Sequence, residues 1–255
     1  MWPDWERLTL FLYITARMSG FVLFNPLLGR RNLPGLFRAG LILSLSAFVF
    51  PLVQQRTALP GGATLLALRL LLELALGFVL GMVIDFFFYI PQLAGLVIDT
   101  QMGMTMNEIY DAGAQAHLSV TGQFLNVLMM VLFFAANGHH TLLRIIVSSG
   151  QVVPFGAISF GPEISNAMLS LFVECTVLAV KLCMPILAAE LLGQIGMGIL
   201  MKAIPQINVF SINIELKVLI GLALLLILVA PFSEFLLNAE MVMLDSLDAV
   251  LELAG

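Results

Sequence analysis

Residues 99–123 read D-T-Q-M-G-M-T-M-N-E-I-Y-D-A-G-A-Q-A-H-L-S-V-T-G-Q, from Asp99 to Gln123. An apolar tract from Leu65 to Ile98 precedes this segment, and another from Phe124 to Ala136 follows it. The segment mixes Gly103 and Gly113 with Met102, Met104 and Met106, and with Ile109 and Tyr110. Glycine admits backbone conformations that other residues avoid, and methionine is a pliant, polarizable side chain that moulds itself to varied partners. A bendable, half-polar segment between two membrane-grade tracts cannot face lipid, because its backbone groups would lack hydrogen-bond partners there. It must line a cavity or lie buried in protein, and this is where the sequence places function.

The rest of the composition agrees with a bilayer as solvent. The 255 residues are 60% hydrophobic and 11% charged, with mean hydropathy +1.05. A soluble domain carries roughly 25% charged residues; a chain this poor in polar surface cannot cover its own apolar area in water. The expectation is an all-α integral membrane protein forming a single membrane-embedded domain over residues 1–255. It has about six strong apolar tracts, two of them over-long for one crossing. A net charge of −5 without a long basic cluster speaks against nucleic acid as a partner. The run Leu8 to Leu28 is too long for a secretion-signal core and contains Arg17 and Asn25. It reads as a first membrane helix with Trp2 and Trp5 at the interface. Gly29-Arg30-Arg31-Asn32-Leu33-Pro34-Gly35, with Arg38 beyond, reads as a turn whose arginines favour the cytoplasmic side.

Within the tract Leu65 to Ile98, Pro91 is expected to kink or break the helix. Arg69 and Glu73, four apart, can pair on one face. Gly77 and Gly81 form a G-x-x-x-G that reads as ordinary close packing. Asp85 is a lone carboxylate in an apolar helix; it faces a pore or a partner, or sits hydrogen-bonded at a helix contact, and both readings stand. The tract Ile164 to Met201 carries Glu174, Lys181 and Glu190, with Pro185 between the last two. Glu174 and Lys181, seven apart, share a face and can pair. Cys175 and Cys183 lie ~12 Å apart if this tract is helical, beyond the roughly 7 Å that a disulfide spans, and read as packing residues. Asn137-Gly138 reads as a helix cap or turn, and His139-His140 lacks a neighbouring Cys, Asp or Glu to complete a metal site. The last tract, Val218 to Leu237, leads into an acidic amphipathic tail over 238–255.

No nucleophile–base grouping, zinc-protease motif or phosphate-cradling loop is present, which makes enzyme activity improbable. The carboxylates Glu73, Asp85, Glu174 and Glu190 remain as groups able to carry protons. A small-molecule secondary transporter using Asp85 and Glu174 as coupling groups is the competing class.

Several blocks together resemble the FliR family of type III secretion export-gate proteins and its injectisome counterparts. They are Gln101-Met102-Gly103 with Asp111, Asn137-Gly138-His139, and Pro205-Gln206-Ile207-Asn208-Val209-Phe210 followed by Lys217. Pro26-Leu27-Leu28-Gly29 with Arg30, Arg31 and Pro34 fits as well. The resemblance implies a noncatalytic, cofactor-free subunit of the bacterial inner membrane and flagellar basal body. It implies broken helical hairpins stacked with FliP and FliQ around a channel for unfolded exported proteins. FlhB, FlhA and other export-apparatus components are the further partners implied. By the same resemblance the central stretch is a plug, with Met106 and Ile109 obstructing the lumen beside Met104 and Tyr110. Simple core packing is the plainer use of these side chains. The Asn137-Gly138-His139 block favours flagellar over injectisome service.

Overall fold

The computed structural model describes residues 5–28, 34–53, 61–104, 119–203 and 209–255, and among them every regular element is a helix. Arg30, Arg31, Met106, Ile109, Tyr110, Asp111, Pro205, Gln206 and Asn208 lie outside the described residues. The helices are α1 Trp5–Phe24, α2 Gly35–Val49, α3 Ala63–Met102, α4 Val120–Ala135, α5 Gly138–Val152, α6 Pro162–Ala203, α7 Val209–Ile227 and α8 Val229–Ala254. Four helical segments are long and apolar enough to cross a membrane, and up to six if each of two bent pairs counts as one span.

Local chemistry explains most of the boundaries. The α1 helix stops before Asn25-Pro26, where the Asn25 Oδ1 accepts from the backbone N–H groups of Leu27 and Leu28. The α2 helix opens on Pro34, whose carbonyl takes the Phe37 and Arg38 N–H groups. Asn137, at φ 60°, occupies the left-handed region between α4 and α5, the turn that Asn tolerates better than most residues. The two helices meet there at a 71° bend.

Pro91 does not break its helix. The 40-residue α3 contains Pro91 and the 42-residue α6 contains Pro185, and both continue as single helices. A proline removes one ladder bond, and both helices continue past it. At 1.5 Å per residue α3 is about 60 Å long, twice the ~30 Å of a bilayer's hydrocarbon core. The break comes instead inside the tract Val218 to Leu237, where α7 and α8 meet at 62°. Pro231 falls in the first turn of α8, where its missing N–H costs nothing. The acidic segment 238–255 is therefore the continuation of a helix that begins at Val229.

The chain divides into two compact units, residues 1–87, 137–172 and 240–255 in one and 88–136 and 173–239 in the other, with boundaries inside α3, α6 and α8. In the first unit, α1 and α3 cross with their backbones in contact. A Cβ added at Gly20 would overlap the Leu74 carbonyl, and one at Gly77 would overlap the Arg17 carbonyl and come 2.7 Å from the Phe21 nitrogen. Gly81 continues the seam against Phe24, whose ring packs edge-on to Phe78 at 4.6 Å. The glycine pair is thus a packing seam, as its spacing suggests, and Gly20 is its unrecognised partner. Around it lie Tyr13, Ile14, Met18, Leu76, Leu80 and Phe87, all fully buried.

One turn along this seam sits a buried ion pair. Arg17 Nε donates to Glu73 Oε2 at 2.7 Å, with the two side chains 1% and 0% exposed. Arg17 also donates to Ser149 Oγ at 3.2 Å and to the Val153 carbonyl at 3.1 Å. Glu73 Oε1 accepts the Gly156 N–H at 2.6 Å, and the guanidinium lies 4.2 Å from the Phe155 ring centroid. Gly150 leaves the room that Phe155 fills, since a Cβ there would overlap its ring. Arg69 does not hold Glu73: it is half-buried one turn away, while both Glu73 oxygens are engaged by α1 and by the turn after α5. In the second unit the core contains Phe88 and Phe133 in edge-on contact, with Ile98, Met102, Met129, Leu182, Ile186 and Leu236 buried. Cys175 and Cys183 are buried free thiols on the unbroken α6, the packing positions their spacing suggests.

Removing one partner of a hydrogen-bonded buried pair leaves the other charge uncompensated. Glu73→Gln is expected to lower stability by about 3–5 kcal/mol, read from denaturant unfolding in detergent. The double variant Arg17→Met, Glu73→Leu should lose less than the two single changes summed, yet remain destabilised because Val153 O and Gly156 N lose their partners. Gly77→Ala is expected to destabilise by about 1–3 kcal/mol through overpacking. Gly40→Ala on α2, where nothing lies within 4 Å of the added carbon, should be neutral or stabilising by about 1 kcal/mol in the same assay.

Candidate functional site

The ends of α3 and α4 form the neck of the central stretch, and this neck is built from described residues on both sides. The α3 helix ends as Gly103 turns to φ +79°, its N–H donating to the Thr100 carbonyl at 3.2 Å. One turn earlier stands Asp99, which is 2% exposed. Its Oδ2 accepts the Ser119 hydroxyl at 2.6 Å and the Thr121 N–H at 3.2 Å. Ser119 is the N-cap of α4, and its Oγ accepts the Gly122 N–H at 2.8 Å. A carboxylate and a hydroxyl thus share the orphan N–H groups of the first α4 turn, where the helix dipole also favours negative charge.

Two small residues permit the approach. A Cβ at Gly95 would overlap the Gly122 nitrogen and Cα, and one at Gly122 would come 3.0 Å from the Gln92 carbonyl. Met102 is fully buried and fills the space left by Gly221 of α7, where an added Cβ would lie 2.6 Å from its Cγ. Of the sequence-predicted plug residues, Met102 is therefore a core residue that fixes the stem. Gln101, Gly103 and Met104 are partly exposed at the neck. The remainder of the plug assignment (Met106, Ile109, Tyr110 and Asp111) falls outside the described residues.

The intramembrane charges sort into two kinds. Glu73 and Glu190 are buried, at 0% and 1% exposure, and Lys217 on α7 lies within electrostatic reach of Glu190. Asp85, Glu174 and Lys181 are exposed on α3 and α6. Glu174 and Lys181 form no ion pair, which corrects the sequence expectation: seven residues of helix separate them by ~10.5 Å, too far for the two ends to meet. Asn137 makes the left-handed bend, Gly138 is buried behind it, and the His139 and His140 rings lie 4.2 Å apart. Phe210 stands in the first turn of α7.

The sequence does not single out Arg17, Ser119 or Gly95 as site residues. The signal for Arg17 is the rule already applied to the carboxylates, that an ionisable residue in an apolar helix has a partner. For Ser119, the signal is a cap residue standing just before an apolar run.

A family model described as bacterial export proteins, family 1, matches residues 8–241. The chain belongs to this family of bacterial export proteins. Among relatives, it is 26% identical over 96% of its length to the flagellar biosynthetic protein FliR of Bacillus subtilis, covering 95% of that protein. It is 25% identical over 93% of its length to FliR of Escherichia coli, covering 91% of that protein. It is also 28% identical to the Yop proteins translocation protein T of Yersinia pestis, over 82% of this chain and 81% of that protein. This export protein therefore has flagellar and secretion-apparatus relatives matched along most of their length, and its apolar helices make it a membrane protein.

The neck gives a direct expectation. Gly95→Val should push the first turn of α4 off α3 and speed hydrogen–deuterium exchange at the Thr121 and Gly122 amides. Gly193→Val on α6, where an added carbon meets nothing within 4 Å, should leave those amides at the wild-type rate.

Proposed function

We propose that the chain is a noncatalytic, cofactor-free subunit of the type III export gate of the bacterial flagellum, working as one membrane-embedded domain. In this reading it joins FliP and FliQ in the inner membrane and basal body to form a channel for unfolded proteins. FlhB, FlhA and other export-apparatus components are its further neighbours. The Met/Gly-rich stretch, with Met104, Met106, Ile109 and Tyr110 as obstructing side chains, closes the passage.

The observation that carries this reading is the outward exposure of Asp85, Glu174 and Lys181 on two long apolar helices. Lipid cannot satisfy such groups, and charged side chains in membrane helices face partners or water-filled paths. A subunit of a larger assembly meets that requirement, and the length-wide match to FliR proteins supports an export-apparatus assembly. In this reading the stretch works as apolar constrictions do, by excluding water. Service in an injectisome is the second reading, favoured by the 28% identity to the Yop translocation protein T; the longer coverage by FliR favours the flagellum.

In mild detergent the gate reading expects co-purification with two further small membrane proteins. A secondary transporter using Asp85 and Glu174 would instead purify as a monomer or homodimer and bind a solute saturably. Deleting Met104 to Asp111 is expected to leave the complex assembled but leaky to ions, and an unchanged membrane conductance would remove the plug assignment.

A further inference from the structure

We propose that the outward face of α6 is a docking seam for one long helix of a different membrane protein, which sets a basic side chain against Glu174 and an acidic one against Lys181. This rests on the reading of the chain as a subunit of a larger assembly, and it names the surface and the kind of helix that surface accepts. Glu174, Val177, Lys181, Met184, Ala188 and Leu191 are all exposed. Their spacing alternates three and four residues, the interval at which one helix presents a continuous stripe to another. At 1.5 Å per residue the stripe runs about 25 Å, close to the ~30 Å depth of a hydrocarbon core. The other side of α6 is already occupied by the chain itself, since Cys175, Ala179, Leu182 and Ile186 are buried.

Charge decides what occupies the seam. Glu174 and Lys181 take part in no ion pair among the described residues, and lipid tails offer neither a counter-charge nor a hydrogen bond. Seven residues of helix hold the two ~10.5 Å apart, so each needs a counter-charge of its own. A helix with a base and an acid seven residues apart supplies both. Burying the two pairs among apolar neighbours then fixes its register, as single polar residues do in the seams of coiled coils. A second copy of this chain does not fit. Two copies inserted by the same route run parallel in the membrane, and a two-fold axis between them sets Glu174 against Glu174 and Lys181 against Lys181. Like charges so placed repel.

The test is photo-crosslinking in cells producing the complete export complex, with p-benzoylphenylalanine in place of Val177, between the two charges. Adducts are mapped by mass spectrometry, and co-purification of partner subunits is followed alongside. The expected result is an adduct with a different membrane protein, on a helix carrying a base and an acid seven residues apart. Lys181→Glu should lower the adduct yield about tenfold, equivalent to about 1.4 kcal/mol, and exchanging the partner's acid for lysine should restore it. An adduct with a second copy of this chain, an adduct on a helix without the two charges, a yield indifferent to Lys181→Glu, or an exchange that restores nothing overturns the proposal. If partner subunits co-purify and position 177 gives no protein adduct, the seam faces lipid: the proposal fails while the assembly reading stands. If no subunit co-purifies, the assembly reading fails and the seam with it. Should the Lys181→Glu chain fail to accumulate, Lys181→Gln decides in its place: a reduced yield supports the seam, and a wild-type yield overturns it.

Discussion

The pair of Arg17 and Glu73 governs what the first unit can be. A guanidinium and a carboxylate withdrawn from solvent are tolerable only if nearly every hydrogen-bonding position is filled. Here the positions are filled from three places far apart in sequence: α1, α3 and the segment from Ser149 to Gly156. The pair therefore does more than join two helices. It specifies which turn follows α5, because only a chain that brings the Val153 carbonyl and the Gly156 amide inward completes the network. The glycine seam beside it has the complementary role. Gly20 and Gly77 bring the two backbones into contact at the crossing, close enough for Arg17 to reach Glu73 through a 2.7 Å bond. Packing sets the distance, and the ion pair then fixes the register.

The same logic recurs at smaller scale in the second unit. Gly95 and Gly122 allow α3 and α4 to touch, and Asp99 then finds Ser119 and Thr121. In each unit, small residues create a close approach and one buried acidic group converts it into a defined geometry. Elsewhere the surface is strongly apolar, with Leu192, Leu219, Leu226 and Ile227 each more than two-thirds exposed. Such a surface, interrupted by Asp85, Glu174 and Lys181, belongs among lipid and other membrane helices.

Much of this was legible from the residues. Composition alone dictates helices in a bilayer, because so few charged groups cannot dress a core in water. Asn137-Gly138 and the Gly77/Gly81 pair meant what their local chemistry says. The strong pairs run between helices, where spacing along one helix gives no sign of them. Arg69 four residues before Glu73 is a good local candidate, but Arg17, 56 residues away in sequence, offers burial and more hydrogen bonds. Glu174 and Lys181 failed for the same reason, since sharing a face does not bring two charges together over two turns. For proline, the place in the helix matters more than its presence. Pro91 and Pro185 sit within helices that continue around them, while Pro231, passed over in an apolar tract, stands in the first turn after the real break. The neck was only half readable: the methionines and glycines marked the stretch, but nothing local tells Asp99 to reach forward to Ser119.

The separation between Arg17 and its counter-ion also bears on how the chain is made. Ribosomes deliver about 5–20 residues per second, so α1 emerges seconds before Glu73 exists, and the Ser149–Gly156 segment follows later still. During that interval the guanidinium has no acid beside it, and an isolated cation is a poor passenger in hydrocarbon. The first helix therefore cannot reach its final depth when it is born. It has to wait, its long side chain stretched toward the headgroups, until the third helix arrives to neutralise it. Insertion and folding of this protein are in this respect one event, timed by the synthesis of a glutamate.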